Sequence, residues 1–320
     1  MTYKKKLIVH LSLIAALALT YTASLVFDPQ RTGARSVSYL WLDPAAASKA
    51  GRIVINIAGE TKEFLKINGE WFVLHNGREY PARQLRIEDF LGVFTQRAAW
   101  PVRSSSVSAH ANFGLHSETA ARITISGDNI TLLDLLIGDE DNTGRECYVR
   151  RFGDGEVRSG SNLIVSYINS SVNSWYNLRL IPQTADGEIA FDSVQRVSVS
   201  TEDESASSVM QIFSRRNREW VVSGINAANP DQGVIDSYIR SILSIEGEDF
   251  IDYISADAAE LNHSRIALDL GNGATKIIRL SASDESGRRY ANVSGSGYVY
   301  SLAPWSVQRL FRSADDFETR

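Results

Sequence analysis

The N-terminal segment constrains this chain most, because it decides whether the rest of the chain folds next to a membrane. Residues Leu7–Phe27 follow Lys4, Lys5 and Lys6 and contain no formally charged side chain in 21 positions. Eleven of these positions are Leu, Ile, Val or Phe, and a helix of this length spans roughly 30 Å, the thickness of the hydrocarbon core of a bilayer. The sequence therefore predicts a single transmembrane helix.

The flanking charges predict how this helix is oriented. Loops rich in Lys and Arg stay in the cytoplasm, and three lysines precede the helix whereas only Arg31 and Arg35 follow it closely. We therefore expect the N-terminus in the cytoplasm and the C-terminal domain outside it. A cleaved signal peptide is the alternative, since Ala16-Leu17-Ala18 fits a signal peptidase site, but the apolar run continues beyond it to Phe27.

Composition narrows what the remaining residues can do. The chain is 43% hydrophobic and 22% charged, as in globular proteins, and its net charge of −5 offers no basic field for nucleic acid or anionic lipid. Cys147 is the only cysteine, so an internal disulfide is excluded. Because Cys147 lies in a strand-like run, we interpret it as a buried small residue rather than a nucleophile.

Strand and helix patterns begin at Arg52. Isoleucine occupies every second position from Ile53 to Ile57, which is typical of a strand, and Asn68-Gly69 predicts a hairpin turn. Apolar side chains then recur with helical spacing, which predicts an amphipathic helix over Gln84–Arg97. The pattern is that of an α+β protein.

The same order of patterns recurs in the second half of the chain. Trp71 corresponds to Trp220 in a similar strand. The apolar face of the first helix maps onto the second with a constant offset of 148: Ile87, Phe90, Leu91 and Phe94 correspond to Ile235, Tyr238, Ile239 and Ile242. Six identities follow at an offset of 142: Tyr148, Gly153, Gly155, Val157, Ser159 and Val165 match Tyr290, Gly295, Gly297, Val299, Ser301 and Val307. Constant offsets of this kind indicate an internal repeat.

We therefore predict a transmembrane helix followed by two tandem copies of a unit made of an antiparallel sheet and helices. The predicted parts are a cytoplasmic tip and anchor (1–27), a tether (28–51), a first repeat (52–181), a linker (182–190) and a second repeat (191–320). In each copy two helices would cover the apolar face of the sheet. Strand edges left open would be candidate partner surfaces.

One stretch has the character of a phosphate loop. Asp269–Thr275 follows an apolar strand, is rich in glycine, and resembles the first phosphate loop of the actin–hexokinase–sugar kinase group. The corresponding stretch of the first repeat, Ile123–Asn129, has the pattern of an ordinary hairpin. We therefore predict a hairpin at Asp269–Thr275. A cytoplasmic nucleotide enzyme would need this loop to open a helix instead.

The remaining polar and aromatic residues have structural interpretations. The histidines have no metal-ligand spacing and are predicted to lie at the surface: His10, His75, His110, His116 and His263. The run Asp139–Asp141 lacks the spacing of a calcium loop and predicts a solvated turn. Several tryptophans raise the alternative of a carbohydrate platform: Trp71, Trp100, Trp175, Trp220 and Trp305. We predict a core role for the equivalent pair Trp71 and Trp220, and also for Trp305.

Several short motifs, in this order, resemble a bacterial family, the domain of unknown function 4340. They are Gly69-Glu70-Trp71, Tyr80-Pro81-Ala82, Phe113-Gly114-Leu115, Ile137-Gly138, Tyr148-Val149-Arg150 and the strand of Val157. The resemblance extends over about Ile53–Leu180, and Arg83 stands where the family usually has Asp. It implies a membrane-tethered envelope protein, often encoded near export-type or gliding-motility-type ABC transporter components, and it implies no catalytic residues.

These observations predict a non-enzymatic protein of the bacterial inner membrane with its C-terminal domain in the periplasm. We expect it to be an accessory subunit of an ABC-transporter-type or other cell-envelope complex, with a membrane or envelope protein as partner. We predict no catalytic, cofactor-binding or metal-ligating residues, no cofactor, and no nucleic acid or nucleotide partner. The alternative is a protein that binds, or hydrolyses, an envelope glycan or lipid.

Overall fold

The computed structural model describes Leu17, Tyr21 and residues 38–116, 118–181, 189–202, 208–224 and 230–318. Apart from Leu17 and Tyr21, the predicted transmembrane helix Leu7–Phe27 lies outside these residues. So do residues 28–37 of the predicted tether and 182–188 of the predicted linker. Among the described helices, none combines the length and the apolar character needed to cross a bilayer.

The described chain is mostly antiparallel sheet with a few helices, so the predicted α+β class is confirmed. It divides into two compact units, Met1–Trp175 and Tyr176–Arg320. This division falls before the segment that was predicted as the linker. Each unit contains one large sheet.

The first unit contains a nine-stranded sheet in the order β5-β4-β3-β2-β8-β9-β10-β11-β7, and β1 pairs separately with β6. Its strands are β1 (Ser38–Tyr39), β2 (Arg52–Ile57), β3 (Glu60–Ile67), β4 (Glu70–His75), β5 (Arg78–Pro81), β6 (Ala98–Ala99), β7 (Val102–Ser104), β8 (Ala121–Gly127), β9 (Ile130–Glu140), β10 (Glu146–Arg151) and β11 (Val157–Ser161). Its helices are α1 (Pro44–Ala47), α2 (Gln84–Thr95) and α3 (Leu163–Ile168).

Local sequence determines much of this unit. The predicted hairpin at Asn68-Gly69 joins β3 to β4, and both turn residues have positive φ, 51° and 91°, as the tight hairpin turn requires. Helix α2 buries the apolar face that its periodicity predicts and ends two residues before Arg97. At its start Arg83 makes no side-chain capping bond, because a guanidinium has no acceptor to offer.

An aromatic cluster joins α2 and α3 to the sheet. The ring of Trp175 lies 4.7 Å from Phe64 on β3, 5.7 Å from Phe90 on α2 and 5.8 Å from Tyr167 on α3. Beside the cluster, the Nζ of the buried Lys62 donates to the carbonyl of Ile168, the last residue of α3, at 2.5 Å. A cation is favoured at that end of a helix.

The second unit contains an eight-stranded sheet in the order β14-β13-β12-β16-β17-β18-β19-β15. Its strands are β12 (Val194–Glu202), β13 (Ser208–Arg216), β14 (Glu219–Ser223), β15 (Asp249–Ile251), β16 (Ser264–Leu270), β17 (Thr275–Leu280), β18 (Arg289–Val293) and β19 (Val299–Leu302). Its helices are α4 (Gln232–Leu243) and α5 (Pro304–Leu310).

Helix α4 packs on one face of this sheet. All four apolar residues that the repeat predicts for its buried face are buried. Tyr238 packs on Phe213 of β13, with ring centroids 5.5 Å apart, and its hydroxyl donates to the carbonyl of Leu310 at the end of α5 at 2.6 Å. This face of the sheet therefore forms the core of the second unit.

Candidate functional site

The opposite face of the second sheet carries a row of polar side chains. Successive residues of a strand point to opposite faces, and residues of one parity on the central strands are the buried ones: Val197, Val199, Ile266, Leu268, Ile278 and Leu280. The other parity brings four residues into register across β12, β16, β17 and β18. These are Ser200, Arg265, Arg279 and Asn292.

A cleft of about 550 Å³ opens over this row. It is lined by Ser200, Asn262, Arg265, Ile277, Arg279, Ser294 and Gly295. Two of its lining residues are therefore cations, and most of the others can form hydrogen bonds. A volume of this size suits a small molecule or the head of a larger one.

Arg279 is held firmly in this cleft. Its Nη2 donates to Asn292 Oδ1 at 3.0 Å and to the carbonyl of Ala256 at 3.3 Å. Asn292 is fully buried, and its Nδ2 donates to the carbonyls of Ser296 and Tyr298, both at 2.9 Å. Asn292 is thus held by two backbone carbonyls, and it in turn fixes the position of the Arg279 guanidinium.

A second cleft of about 580 Å³ adjoins the first at Asn262. Its lining includes Glu260, His263, Asp284 and Tyr290. Hydrogen bonds from Ser286 and from the backbone of Arg288 hold the pKa of the Asp284 carboxyl below its usual value. The Asp284 carboxylate is therefore ionised and stabilises its own turn. Because its pKa is lowered, it is poorly suited to act as a general base.

Tyr290 in this second cleft stays protonated. The hydroxyls of Tyr253 and Tyr290 share a hydrogen bond of 2.9 Å, and this hydrogen bond to Tyr253 raises the pKa of Tyr290. A phenol with a raised pKa is a weak nucleophile at neutral pH. Neither Asp284 nor Tyr290 therefore combines the protonation state and reactivity that a base or a nucleophile needs.

In the first unit, four of the motifs that resemble the bacterial family come together in space: Phe113-Gly114-Leu115, Ile137-Gly138, Tyr148-Val149-Arg150 and the strand of Val157. The segment Phe113-Gly114-Leu115 passes directly over Gly138 of β9, where an added Cβ would lie 2.0 Å from the Phe113 carbonyl oxygen. Phe113 also packs on Tyr148 of β10, with ring centroids 4.6 Å apart. Leu115, Leu136 and Val157 form the buried centre of this cluster.

The sequence profile of the family described as Domain of unknown function (DUF4340) matches residues 71–269. The chain belongs to this family. A comparison with curated proteins finds no match. The matched range begins at Trp71 and includes Arg265 as well as the motifs of the first unit from Tyr80-Pro81-Ala82 onward. The four DUF4340 motifs that meet around Gly138 are neighbours because their side chains pack in one core, so packing accounts for their residue types.

Cys147, within the DUF4340 range, is a core residue as predicted. It is fully buried, and its thiol donates to the carbonyl of Ser161 across the β10–β11 pair at 3.6 Å. Burial raises the pKa of the thiol to about 12. A thiol with such a pKa is almost entirely protonated at neutral pH and is therefore inert.

The histidines follow the prediction only in part. His116 is exposed, and His75 and His263 are half-buried, whereas His10 lies outside the described residues. The surface prediction is wrong for His110, which is buried and places Nε2 3.0 Å from a carbonyl in the β10–β11 loop. In the part of the chain that the structure describes, no three His, Cys, Asp or Glu side chains group closely enough to hold a metal ion.

The tryptophans divide between core and surface. Trp71 and Trp220 are buried at their strand positions, which confirms the core prediction for this pair, and Trp100 and Trp175 are buried too. The core prediction is wrong for Trp305, whose side chain is 58% exposed on α5. The buried face of α5 carries Ser306 and Leu310 instead.

The two polar loops behave as the sequence indicates. Residues Gly271–Ala274 connect β16 to β17 in an antiparallel hairpin, which confirms the prediction for Asp269–Thr275 and removes the phosphate-loop geometry. Asp139 and Glu140 end β9, and Asp141 begins a turn in which it accepts bonds from the backbone of Arg145 and Glu146.

Sequence reasoning missed the pair Arg265 and Arg279. The structure brings the two together through the register of β16 and β17, which equals that of β8 and β9 at an offset of 143. In that alignment Arg265 corresponds to Arg122, whereas Arg279 corresponds to Leu136. The first sheet therefore has no counterpart of Arg279.

Proposed function

We propose that this chain is a single-pass protein of the bacterial inner membrane that presents its folded units in the periplasm and acts by binding rather than catalysis. The observation that carries the proposal is the uncharged run Leu7–Phe27 behind three lysines. Its apolar residues contribute roughly −0.3 to −0.6 kcal/mol each to membrane insertion, and no charged residue offsets that contribution. The role we assign is that of an accessory subunit of an ABC-transporter-type or other envelope complex.

We further propose that the two units are tandem copies of one module. In both units, a glutamine at the start of a helix forms hydrogen bonds with the backbone of a tryptophan in the preceding strand. This shared contact supports the proposal. Gln84 bonds both the N–H and the carbonyl of Trp71, at 2.8 and 3.0 Å, and Gln232 does the same for Trp220, at 2.7 and 2.9 Å. Two unrelated units would not be expected to share a side-chain-to-backbone contact at matching positions.

A recurring turn supports the same proposal. Asp141 opens a turn with Thr143, Gly144 and Arg145, and Asp284 opens one with Ser286, Gly287 and Arg288. In each, the aspartate accepts a bond from a hydroxyl two residues later and from the arginine backbone four residues later. Both glycines have positive φ, 65° and 80°, which is costly for other residues.

Protease accessibility in spheroplasts tests the topology. We expect external protease to digest the two units in intact spheroplasts while the first residues stay membrane-bound, and the mass of the N-terminal peptide to be that of the uncleaved chain. A double variant, Leu13→Arg with Leu17→Arg, is the matched control, because each charge at a helix centre costs roughly 2.5–3.5 kcal/mol. Recovery of the wild-type chain from the cytosol, protected and soluble, contradicts the proposal.

Affinity purification from gently solubilised membranes tests the accessory role. We expect a membrane protein to co-purify in amounts comparable to the chain itself, and to be absent with the Leu13→Arg, Leu17→Arg variant. Consistent recovery of the chain alone contradicts this role.

A second candidate function, binding of an envelope glycan or lipid, is favoured by the exposure of Trp305. The guanidinium of Arg309 lies 5.4 Å from the centre of its ring, so an aromatic face and a cation stand together on α5. Replacing Trp305 by Ala should then weaken retention on an immobilised envelope fraction and leave the membrane partner bound.

A further inference from the structure

Two arginines face each other on neighbouring strands of the second sheet. Arg265 on β16 lies directly opposite Arg279 on β17, and both line the cleft of about 550 Å³. Like charges at directly opposed positions destabilise an antiparallel pair, and guanidinium groups stay charged at all physiological pH values. An arrangement of this kind is stabilised by a counter-charge.

The described residues supply little of that counter-charge. Among them, the one carboxylate within ion-pair distance of either guanidinium is Asp257, 3.8 Å from Arg279 Nη2, and its side chain is 93% exposed. Exposed pairs at this separation contribute very little. Arg265 has no carboxylate within ion-pair distance in the part of the chain that the structure describes.

The first unit has the same strand register, but there the arginine is paired with a carboxylate. Arg122 on β8 lies opposite Leu136 on β9 and makes a bidentate pair with Asp134, with bonds of 2.9 and 2.6 Å. At the corresponding places the second sheet has Arg265, Arg279 and Ile277. The carboxylate that neutralises the arginine of the first sheet is replaced by isoleucine, and a second arginine is added.

We propose that Arg265 and Arg279 bind a phosphate group of an anionic ligand in this cleft. The planar guanidinium matches two oxygens of a phosphate at once. Ser294 and Asn262 line the same cleft and supply donors for the remaining oxygens. The Ser294 hydroxyl oxygen accepts from Ile277 N at 3.0 Å, so its proton points elsewhere and is available to the ligand.

Preorganisation favours this site. Asn292 fixes the Arg279 guanidinium before any ligand arrives, which lowers the entropy lost on binding. Free phosphate and the headgroup of a phospholipid share the chemistry that this cleft recognises. The site depends neither on the membrane anchor nor on the accessory role proposed above, and it is tested separately from both.

Calorimetric titration of the purified full-length chain in neutral detergent tests the site. The probes are inorganic phosphate, the soluble short-chain lipid dihexanoyl-phosphatidylglycerol, and dihexanoyl-phosphatidylcholine as its zwitterionic counterpart. Arg265→Gln removes the unpaired cation at an exposed position, and we expect it to weaken binding about ten- to hundredfold. Ile277→Asp keeps both arginines but places a carboxylate where the first sheet has Asp134, and we expect a similar loss.

Two matched variants control for net charge. Arg196→Gln removes an exposed arginine from the same sheet face, where it lies opposite Asp269, and Arg122→Gln removes the paired arginine of the first sheet. We expect both to bind the probes as the wild type does. Circular dichroism and the melting temperature of each variant confirm that it is folded.

The titrations distinguish the two ligand sources and show whether the site exists. Tighter binding of phosphatidylglycerol than of inorganic phosphate assigns a lipid headgroup, and the reverse order assigns a free phosphate compound; in both cases the site stands if Arg265→Gln binds more weakly. The proposal is overturned if no probe binds at millimolar concentration or if Arg265→Gln binds like the wild type. It is also overturned if Arg196→Gln weakens binding as much as Arg265→Gln does.

Discussion

Replacing Gln84 by Met should loosen the beginning of β4. Gln84 Oε1 accepts from Trp71 N at 2.8 Å, and Nε2 donates to the carbonyls of Trp71 and Ala82, both at 3.0 Å. The glutamine amide thus adds to the bonding of Trp71 just past the end of β5, where the Trp71 carbonyl also accepts from Ala82 N at 3.0 Å. Methionine has a similar length and volume but offers no comparable hydrogen bond, so the substitution removes the bonds and keeps the packing.

The size of the effect follows from the number and exposure of the bonds. A typical hydrogen bond contributes about 1 kcal/mol, so the three bonds of the half-buried Gln84 predict a loss of about 3 kcal/mol. Gln232 makes two such bonds and is exposed, so water replaces part of what Gln232→Met removes and the loss should be about 1 kcal/mol. The loss of about 3 kcal/mol raises the equilibrium constant for opening of β4 about hundredfold, and the loss of about 1 kcal/mol raises that of β14 about fivefold.

Hydrogen exchange read by mass spectrometry measures these equilibria locally, without requiring the chain to unfold in one step. In Gln84→Met we expect faster exchange in the peptide that contains β4 and no change in the peptide that contains β14. Gln232→Met should show the reverse. Gln84→Glu is a second probe, because a carboxylate accepts from Trp71 N but cannot donate to either carbonyl, so it should be at least as damaging as Met.

A control on the same helix makes this prediction refutable. Leu85 is 75% exposed beside Gln84, and Leu85→Met should leave the exchange of β4 unchanged. The reasoning fails if Gln84→Met is no more damaging than Leu85→Met, or if Gln84→Glu exchanges like the wild type.

Three further predictions concern the cores. Gly138→Ala should destabilise the first unit by about 3 kcal/mol, because the new Cβ would meet the Phe113 carbonyl oxygen at 2.0 Å; an unchanged melting temperature would contradict this. Since burial raises the pKa of Cys147 to about 12, a thiol reagent at about pH 8 should label the chain only in denaturant, and rapid labelling of the native chain would refute the argument. Burial also raises the pKa of Tyr238 above its ordinary 10.0, so at higher pH the unfolded chain releases a proton that the folded chain keeps, and stability falls. Tyr238→Phe should remove about 1.4 kcal/mol of that fall in the free energy of unfolding at about pH 11. Urea unfolding of the wild type and the variant at neutral and at alkaline pH measures this difference. Equal pH dependences of the two chains would rule it out.

The parts of the fold that depend on neighbours in the sequence were predictable. The Asn68-Gly69 turn needs only two residues that tolerate positive φ, and the structure forms it between the expected strands. The Asp269–Thr275 loop was assigned as a hairpin by comparison with Ile123–Asn129, and it is one. In both cases the determining interactions lie within a few residues.

Positions whose environment comes from distant segments were not predictable in the same way. His110 lies in a Ser- and Ala-rich segment that suggests a surface loop, but a carbonyl 45 residues away in the sequence completes its burial. Trp305 follows Pro304 at a helix start, which fixes where α5 begins but not which side faces the core. The buried pair Ser306 and Leu310 has helical spacing, and this spacing would have placed Trp305 on the outside.

The arginine pair shows why the candidate site needed the structure. Each arginine alone is an ordinary polar residue of an exposed strand face, and only the register of β16 and β17 places Arg265 and Arg279 opposite each other. The first sheet has the same register but keeps its arginine paired with Asp134 and stacked on Phe152, 3.8 Å from the ring centre. The strand order alone therefore does not determine what a sheet face binds. At two positions of one strand the second sheet has Ile277 and Arg279 where the first has Asp134 and Leu136, and this difference leaves two cations facing each other on the second sheet only.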